Sequence, residues 1–275
     1  MKISVVMSVY KSETAEHLNE ALHSIWTTQT YKPNEIILVE DGELTPQLYE
    51  VVENWQNILG NQLVILKNDT NLGLTKSLNR GIAIAKYDII ARMDSDDKAH
   101  PDRFMKQIAY IKDHADVDIL GGSIQEFYED HLGGIRYYPA SHNDVLHYIY
   151  KASPLAHPAV IMRKSIFDNG LKYNEAYRTS QDIALWFDAI CKGHKIANIK
   201  DIVLYFRCSD DIYKRRGKEK ARNEFRIYRD GIRRIYGRFT PKLIYPILRY
   251  CVRLSPTPLL KIIYNGGLRK RLLNK

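Results

Sequence analysis

The stretch YDIIARMDSDD, residues 87–97, decides how this chain is read: an apolar run from Tyr87 to Ala91 gives way to three carboxylates, Asp94, Asp96 and Asp97. The run reads as a strand over 89–93. In open α/β sheets ligands bind beyond the carboxyl ends of the strands, so acids placed there face a crevice and not a core. If the backbone stays extended, Asp94 and Asp96 point the same way, because side chains repeat every two residues. Two aligned carboxylates suit a hard cation such as Mg²⁺ or Mn²⁺, which prefers oxygen ligands and often shares them with substrate phosphates. The same residues would also serve as an acidic helix cap or a solvated turn ahead of Pro101, so the rest of the chain has to choose.

Working outward, the first two hundred residues alternate between short β-rich runs and helical patterns, the signature of βα units around a mostly parallel sheet. Strands are expected over 3–9, 35–39, 63–66 and 117–120, the last ended by Gly121-Gly122. A helix over 16–29 places Leu18, Leu22, Ile25 and Trp26 on one face, and one over 75–85 does the same with Leu78, Ile82 and Ala85. His100-Pro101 starts another helix, since proline loses nothing in a first turn. Beyond about residue 125 the pattern is less regular, with a strand-like HPAVIMRKS, a helix over 181–191 stopped by Gly193, and the run IANIKDIVLYFR. The fold class is α/β, a mixed, mostly parallel sheet flanked by helices.

With 275 residues, 45% of them hydrophobic, the chain can bury a sizeable core. Its three cysteines form no CxxC pair, so no disulfide framework or zinc site is suggested. The net charge of +9 is unevenly spread: residues 212–275 hold 19 Lys and Arg against 3 Asp and Glu, which leaves residues 1–211 at −7. The basic excess belongs to a helical, amphipathic tail from 212 to 275, and such patches seek phosphates of nucleic acid or lipid. No stretch approaches the roughly 18 apolar residues that span a bilayer, so membrane contact is expected to be peripheral.

Three further elements open toward the same rim of the sheet. Glu40-Asp41-Gly42 ends the second strand, where a carboxylate can accept hydrogen bonds from a nucleobase or ribose; an ordinary Asp-Gly turn is the alternative. Asn68 to Leu74 forms a loop before a helix bearing Lys76 and Arg80, a phosphate neighbour if the helix N–H groups are open, or simply a helix capped by Thr75. Ser180-Gln181-Asp182 begins a largely buried helix, which can hold a general base on a rigid element or provide a plain N-cap.

In this order the motifs resemble the family 2 glycosyltransferases with the GT-A fold: VVMSVY, the strand ending at Asp41, the NLGL loop with Asn79-Arg80-Gly81, Asp94-Ser95-Asp96, and Gln181-Asp182 leading into LW. Within that family RMDSDD, HPAVIMRKS, QDIALW and LYFR are similar to bacterial enzymes of capsule, exopolysaccharide and O-antigen assembly. The resemblance covers residues 1–216 and implies a catalytic domain over 1–211, with a nucleotide-sugar half to about 122 and an acceptor half beyond. It implies that Val9, Tyr10, Asp41, Asn71, Lys76, Arg80, Asp94 and Ser95 contact a UDP-sugar, UDP-galactose or UDP-glucose. It further implies that Asp96 holds Mn²⁺ or Mg²⁺ and that Asp182 is the base of an inverting transfer. His157, Gln181, Trp186, Arg207, Arg215 and Arg216 fall to the acceptor or a diphosphate; for His157 a structural role, and for the arginines a solvated loop, stay open. Gln181 departs from the Glu of many members, and the QxxRW motif of processive synthases is absent.

The expected acceptor is an undecaprenyl-diphosphate-linked or similar saccharide, met by a cytoplasmic protein lying on the anionic inner face of the membrane. A nucleic-acid binder with a degenerate nucleotide-binding domain is opposed by the acidic first 211 residues, so no nucleic acid is expected as partner. A sugar nucleotidyltransferase would call for a glycine-rich opening loop, and Ser8 to Ser12 contains no glycine.

Overall fold

The computed structural model describes residues 1–208 and 218–254. Its strands are β1 (Ile3–Val9), β2 (Glu35–Asp41), β3 (Leu63–Asn68), β4 (Ile89–Arg92), β5 (Lys98–Ala99), β6 (Ile119–Phe127), β7 (Leu132–Arg136), β8 (Ile161–Arg163) and β9 (Ile196–Arg207). Its helices are α1 (Ala15–Trp26), α2 (Pro46–Leu59), α3 (Leu74–Ile84), α4 (Arg103–Asp113), α5 (His142–Tyr148), α6 (Lys164–Asp168), α7 (Gln181–Cys191), α8 (Lys218–Tyr236) and α9 (Ile244–Leu254).

One sheet runs β3-β2-β1-β4-β8-β6-β9-β5, with β7 paired to β6. The long ladders, β1 with β2 and β4, β2 with β3, and β6 with β9, are parallel, whereas the short β8 and β5 run antiparallel to their neighbours. The order reverses at β1, whose neighbours β2 and β4 lead off to opposite sides. That reversal is where a crevice opens at the carboxyl ends of parallel strands, and the acidic motif of residues 94–97 follows β4 directly.

Alternation along β1 sends Ile3, Val5, Met7 and Val9 to one face, against α1, α2 and α4, and Val6 to the other. The second face is covered by α3, α7 and α8 through Leu78, Ile82, Trp186, Phe187, Tyr228 and Ile232. All seven residues of β2 are buried, as a central parallel strand requires.

Four of the sequence expectations differ from the structure. Gly121 and Gly122 lie inside β6: a Cβ on Gly121 would sit 2.1 Å from Asn198 Oδ1, and one on Gly122 2.7 Å from a Val203 methyl, so these glycines let β9 and its neighbours close in. Helix α1 stops at Trp26 because the side chains of Thr28 and Gln29 take the carbonyl of Ser24, at 3.2 and 2.8 Å. His100-Pro101 forms a turn, closed by the Arg103 N–H on the His100 carbonyl at 2.9 Å, and α4 begins only at Arg103. His157–Ala159 is a short 3-10 turn, and only Ile161–Arg163 of the HPAVIMRKS stretch is strand.

Among the described residues no helix is long and apolar enough to cross a membrane. Of the segment expected as a tail, α8 packs into the second core: Ala221, Ile227, Tyr228 and Ile232 are all buried, with Tyr228 edge-on to Phe187 at 5.7 Å. Ile232→Ala is accordingly expected to cost about 2–5 kcal/mol of global stability, read by denaturant unfolding as one cooperative transition; a loss under 1 kcal/mol would mark α8 as separable.

Candidate functional site

Asp41, at the end of β2, is almost fully buried. Its Oδ1 accepts from Asn68 Nδ2 at 2.9 Å and the Leu72 N–H at 2.7 Å, and its Oδ2 from the Gly73 N–H at 2.9 Å. The Asn71 side chain bonds the Asp41 carbonyl at 3.4 Å, and Arg80 bonds Asn68 Oδ1. Gly42, at φ +85°, makes room, because a Cβ there would meet the Asn71 nitrogen at 2.8 Å. Asp41 thus occupies N–H groups at the entry to α3 that were expected to be open to a phosphate, and holds the Asn71–Gly73 loop to the sheet edge. Thr75 does not cap α3; Gly73 holds that position and the Thr75 hydroxyl donates to the Tyr177 carbonyl at 2.7 Å. Lys76 is exposed. Val9 points into the core, whereas Tyr10 is exposed at the mouth of the crevice.

Beyond β4, Asp94, Asp96 and Asp97 bring one carboxylate oxygen each to within 4.8 Å of the others. Ser95 turns aside and donates to Glu13 Oε2 at 2.7 Å. Burial, with Asp94 and Glu13 nearby, raises the pKa of Asp96 to about 6. Burial first, and then both neighbouring aspartates, push Asp97 well above the usual carboxylate range. Oδ1 of Asp97 accepts the Arg207 N–H at 2.8 Å, while its Oδ2 is buried with no partner among the described residues. Three crowded, dehydrated acids with an unbonded oxygen fit a divalent cation, which would relieve both repulsion and desolvation.

Guanidinium groups brace this loop. Arg207, expected as a free diphosphate clamp, has Nε on the Asp96 carbonyl at 2.8 Å, one Nη on Glu129 at 2.9 Å and the other on Glu20, with its plane over Phe127. It braces the acidic turn in place of offering an open fork. Arg103 of α4, wholly buried, donates to the Arg92 carbonyl at 2.7 Å, and burial beside Arg92 lowers its pKa to about 9. Arg92 itself is buried and bonds Asp94.

Asp182 lies in the first turn of α7. The preceding Ser180 has φ 60° and ψ 24°, the sole non-glycine residue with positive φ among the described residues. Such a residue in the left-handed region is uncommon and repays attention near a functional site. Burial raises the pKa of Asp182, opposed by its own and the Ile183 backbone N–H and by Arg92, and reinforced by Glu224 of α8. One turn on, buried Trp186 stacks edge-on with His157 at 6.0 Å, and His157 Nε2 meets the Tyr173 hydroxyl at 2.7 Å. Burial and Arg92 push His157 well below its usual pKa, which makes it a neutral, structurally partnered imidazole. Burial chiefly raises the Tyr173 phenol, with Asp182 and Asp94 adding to the effect against Arg92. Asp94 and Asp182 both lie close enough to Arg92 and Tyr173 to act on them electrostatically. Gln181 is buried beside them, and Arg215 and Arg216 lie outside the described residues.

Sequence reasoning did not single out Arg92, Glu13, Tyr173 or Glu224. Arg92 had a usable signal, since it lies two residues before Asp94 and so on the same side of an extended chain. The others come from elements far away in sequence.

The profile of the family described as Glycosyl transferase family 2 matches residues 4–171. The chain is 34% identical over 263 residues to "Amylovoran biosynthesis glycosyltransferase AmsE" of Erwinia amylovora, covering 95% of this chain and 97% of that protein. It is 33% identical over 274 residues to "UDP-Gal:alpha-D-GlcNAc-diphosphoundecaprenol beta-1,3-galactosyltransferase" of Escherichia coli, covering 98% of each. Among solved structures, S. aureus TarS 1-349 in complex with UDP-GlcNAc shares the fold, with a TM-score of 0.67 over 92% of this chain and 72% of that one at 21% identity.

An acid whose pKa is higher folded than unfolded stabilises the fold while protonated, fully below about 4 for Asp96, and loses that contribution as pH rises through about 6. Asp96→Asn is thus expected to stabilise the metal-free protein by about 1–3 kcal/mol at neutral pH, shrinking toward pH 4. Unfolding in chelator across that range checks it; no gain at neutral pH would contradict the crowding.

Proposed function

The chain belongs to glycosyl transferase family 2 and is a glycosyltransferase of polysaccharide biosynthesis, and from that premise we propose that it moves a single hexose from a UDP-sugar to a lipid-linked saccharide with inversion at the anomeric carbon. The observation that carries the proposal is the Asp94, Asp96 and Asp97 cluster together with a half-buried Asp182 that, like Asp94, lies within electrostatic reach of Arg92 and Tyr173. UDP-galactose is the first donor to try and an undecaprenyl-diphosphate-linked saccharide the first acceptor, on the name of the E. coli relative; UDP-glucose is the second donor.

Asp94, Asp96 and Asp97 would hold Mn²⁺ or Mg²⁺, whose charge offsets the negative charge that gathers on the departing diphosphate. Asp41 and its loop set one wall for the uridine. Asp182 accepts the proton of the acceptor hydroxyl as that oxygen bonds to C1 on the face opposite the diphosphate. The C1–O bond to phosphate breaks and UDP leaves, with the proton on the carboxyl of Asp182. A base on the first turn of a packed helix is held still, and its dehydration raises its basicity above that of a surface aspartate.

Membrane contact at the inner face of the cytoplasmic membrane belongs to the same reading. Helix α9 exposes Ile244, Ile247 and Leu248, spaced for one face, near exposed Phe239 and cationic Arg238 and Lys242. An apolar stripe rimmed by cations is suited to an anionic leaflet, at about 1 kcal/mol for each cation near the surface.

Release of UDP from UDP-galactose or UDP-glucose with Mn²⁺ is expected to fall about a hundredfold or more in Asp96→Ala and by about 10²–10⁴ in Asp182→Asn. Unchanged rates in both would remove the proposed roles. Because Asp182 is raised by burial, the acid limb of the rate profile is expected above the ordinary carboxylate range and absent from Asp182→Asn. Flotation with anionic vesicles is expected for the intact chain and lost on joint Ile247→Glu and Leu248→Glu substitution; equal flotation would dismiss the membrane face.

A further inference from the structure

Arg92 is the least explained charge in the molecule. It is 2% exposed, and one Nη bonds Asp94. Its Nε and other Nη are buried with no protein partner among the described residues. The indole Nε1 of Trp186, across His157 in the same cluster, is a further buried donor without a partner. A buried guanidinium left with unmade hydrogen bonds is costly, on the order of 1–3 kcal/mol for each missing partner and more where charge is involved. Such a vacancy is tolerated where a ligand completes it. The charge of Arg92 is already answered by Asp94, with Asp97 and Asp182 close by. What the guanidinium lacks is acceptor oxygens, not a counter-ion, which favours neutral hydroxyls over a second phosphate.

The position says which hydroxyls. The leaving diphosphate belongs against the Asp94, Asp96 and Asp97 cluster, and the acceptor oxygen belongs beside Asp182. The reacting carbon must lie between them, and Arg92, bonded to Asp94 and close enough to Asp182 to act on it, puts its unpartnered N–H groups beside that path. We propose that Arg92 is a donor-sugar reader, its free N–H groups donating to hydroxyl oxygens of the hexose attached to UDP and so setting which sugar is transferred. The inference rests on the glycosyltransferase reading and deepens it. A site built to bond a hydroxyl rejects the analogue that lacks it, because its own polar groups are then left unpaired.

The test compares UDP with UDP-galactose and UDP-glucose by calorimetry in Mn²⁺, for wild type, Arg92→Lys and Arg92→Met, and adds the 2-, 3-, 4- and 6-deoxy UDP-hexoses of the better donor. Wild type is expected to bind the UDP-sugar about tenfold tighter than UDP, and one deoxy position to lose most of that gain. In the Arg92 variants UDP affinity itself is expected to fall, because Asp94 loses its partner, while the sugar's gain over UDP and the deoxy penalty are both flattened. The proposal is overturned if the variants keep the deoxy penalty, or if they lose UDP and UDP-sugar affinity equally, which would reduce Arg92 to a support for Asp94. Should neither variant fold, the deoxy series on wild type decides: no position that matters means no reader. Failure of wild type to bind UDP at all would instead sink the family-based reading, and this inference with it.

Discussion

The whole arrangement depends on keeping carboxylates together that repel one another. Glu13, Asp94, Asp96 and Asp97 crowd at the carboxyl end of β4, and burial makes the ionised forms of Asp96 and Asp97 costlier still. The fold answers with guanidinium groups that reach in from elsewhere. Arg207 arrives from the end of β9, Arg103 from α4, and Arg92 from β4 itself. Arg207 and Arg92 bond the acidic turn itself and Arg103 the β4 end that leads into it, so the turn's shape is set by distant elements as much as by its own sequence. The strand order matters for that reason: β9 can brace the turn because β5, which follows the turn directly, pairs antiparallel with it and sets Lys98 opposite Tyr205.

Much of this was legible in the sequence because it is local. The strands of the first half, the glycine-punctuated loop before α3 and the helix entered at Gln181 all declare themselves by period and by neighbours. What escaped depends on contacts across the chain. Gly121-Gly122 looks like a stop signal until Asn198 and Val203 are seen pressing on it. Arg207 reads as a free phosphate ligand because nothing near it in sequence predicts Glu20 and Glu129 as its partners.

The site divides into a part that is finished and a part that is open. Asp41, Asn68, Arg80 and the Asn71–Gly73 loop satisfy one another. Asp97, Arg92 and Trp186 do not, since each keeps a buried polar atom without a partner among the described residues. The closed network gives a rigid wall; the open one is the part of the structure the proposed substrate contacts would complete. Family membership says what kind of reaction takes place, and this contrast is what the proposal adds to it.

Helix α8 lies on α7 and carries Glu224, buried and close enough to Asp182 to affect it. That acid is held by Arg249 at 2.7 Å and Arg253 at 2.6 Å, both from α9. Anyone shortening this enzyme for crystallisation or display must therefore cut after Arg253. An earlier stop codon would spare every residue of the crevice yet strand an uncompensated anion against the base, and the damage would surface as poor turnover in a protein that still looks whole.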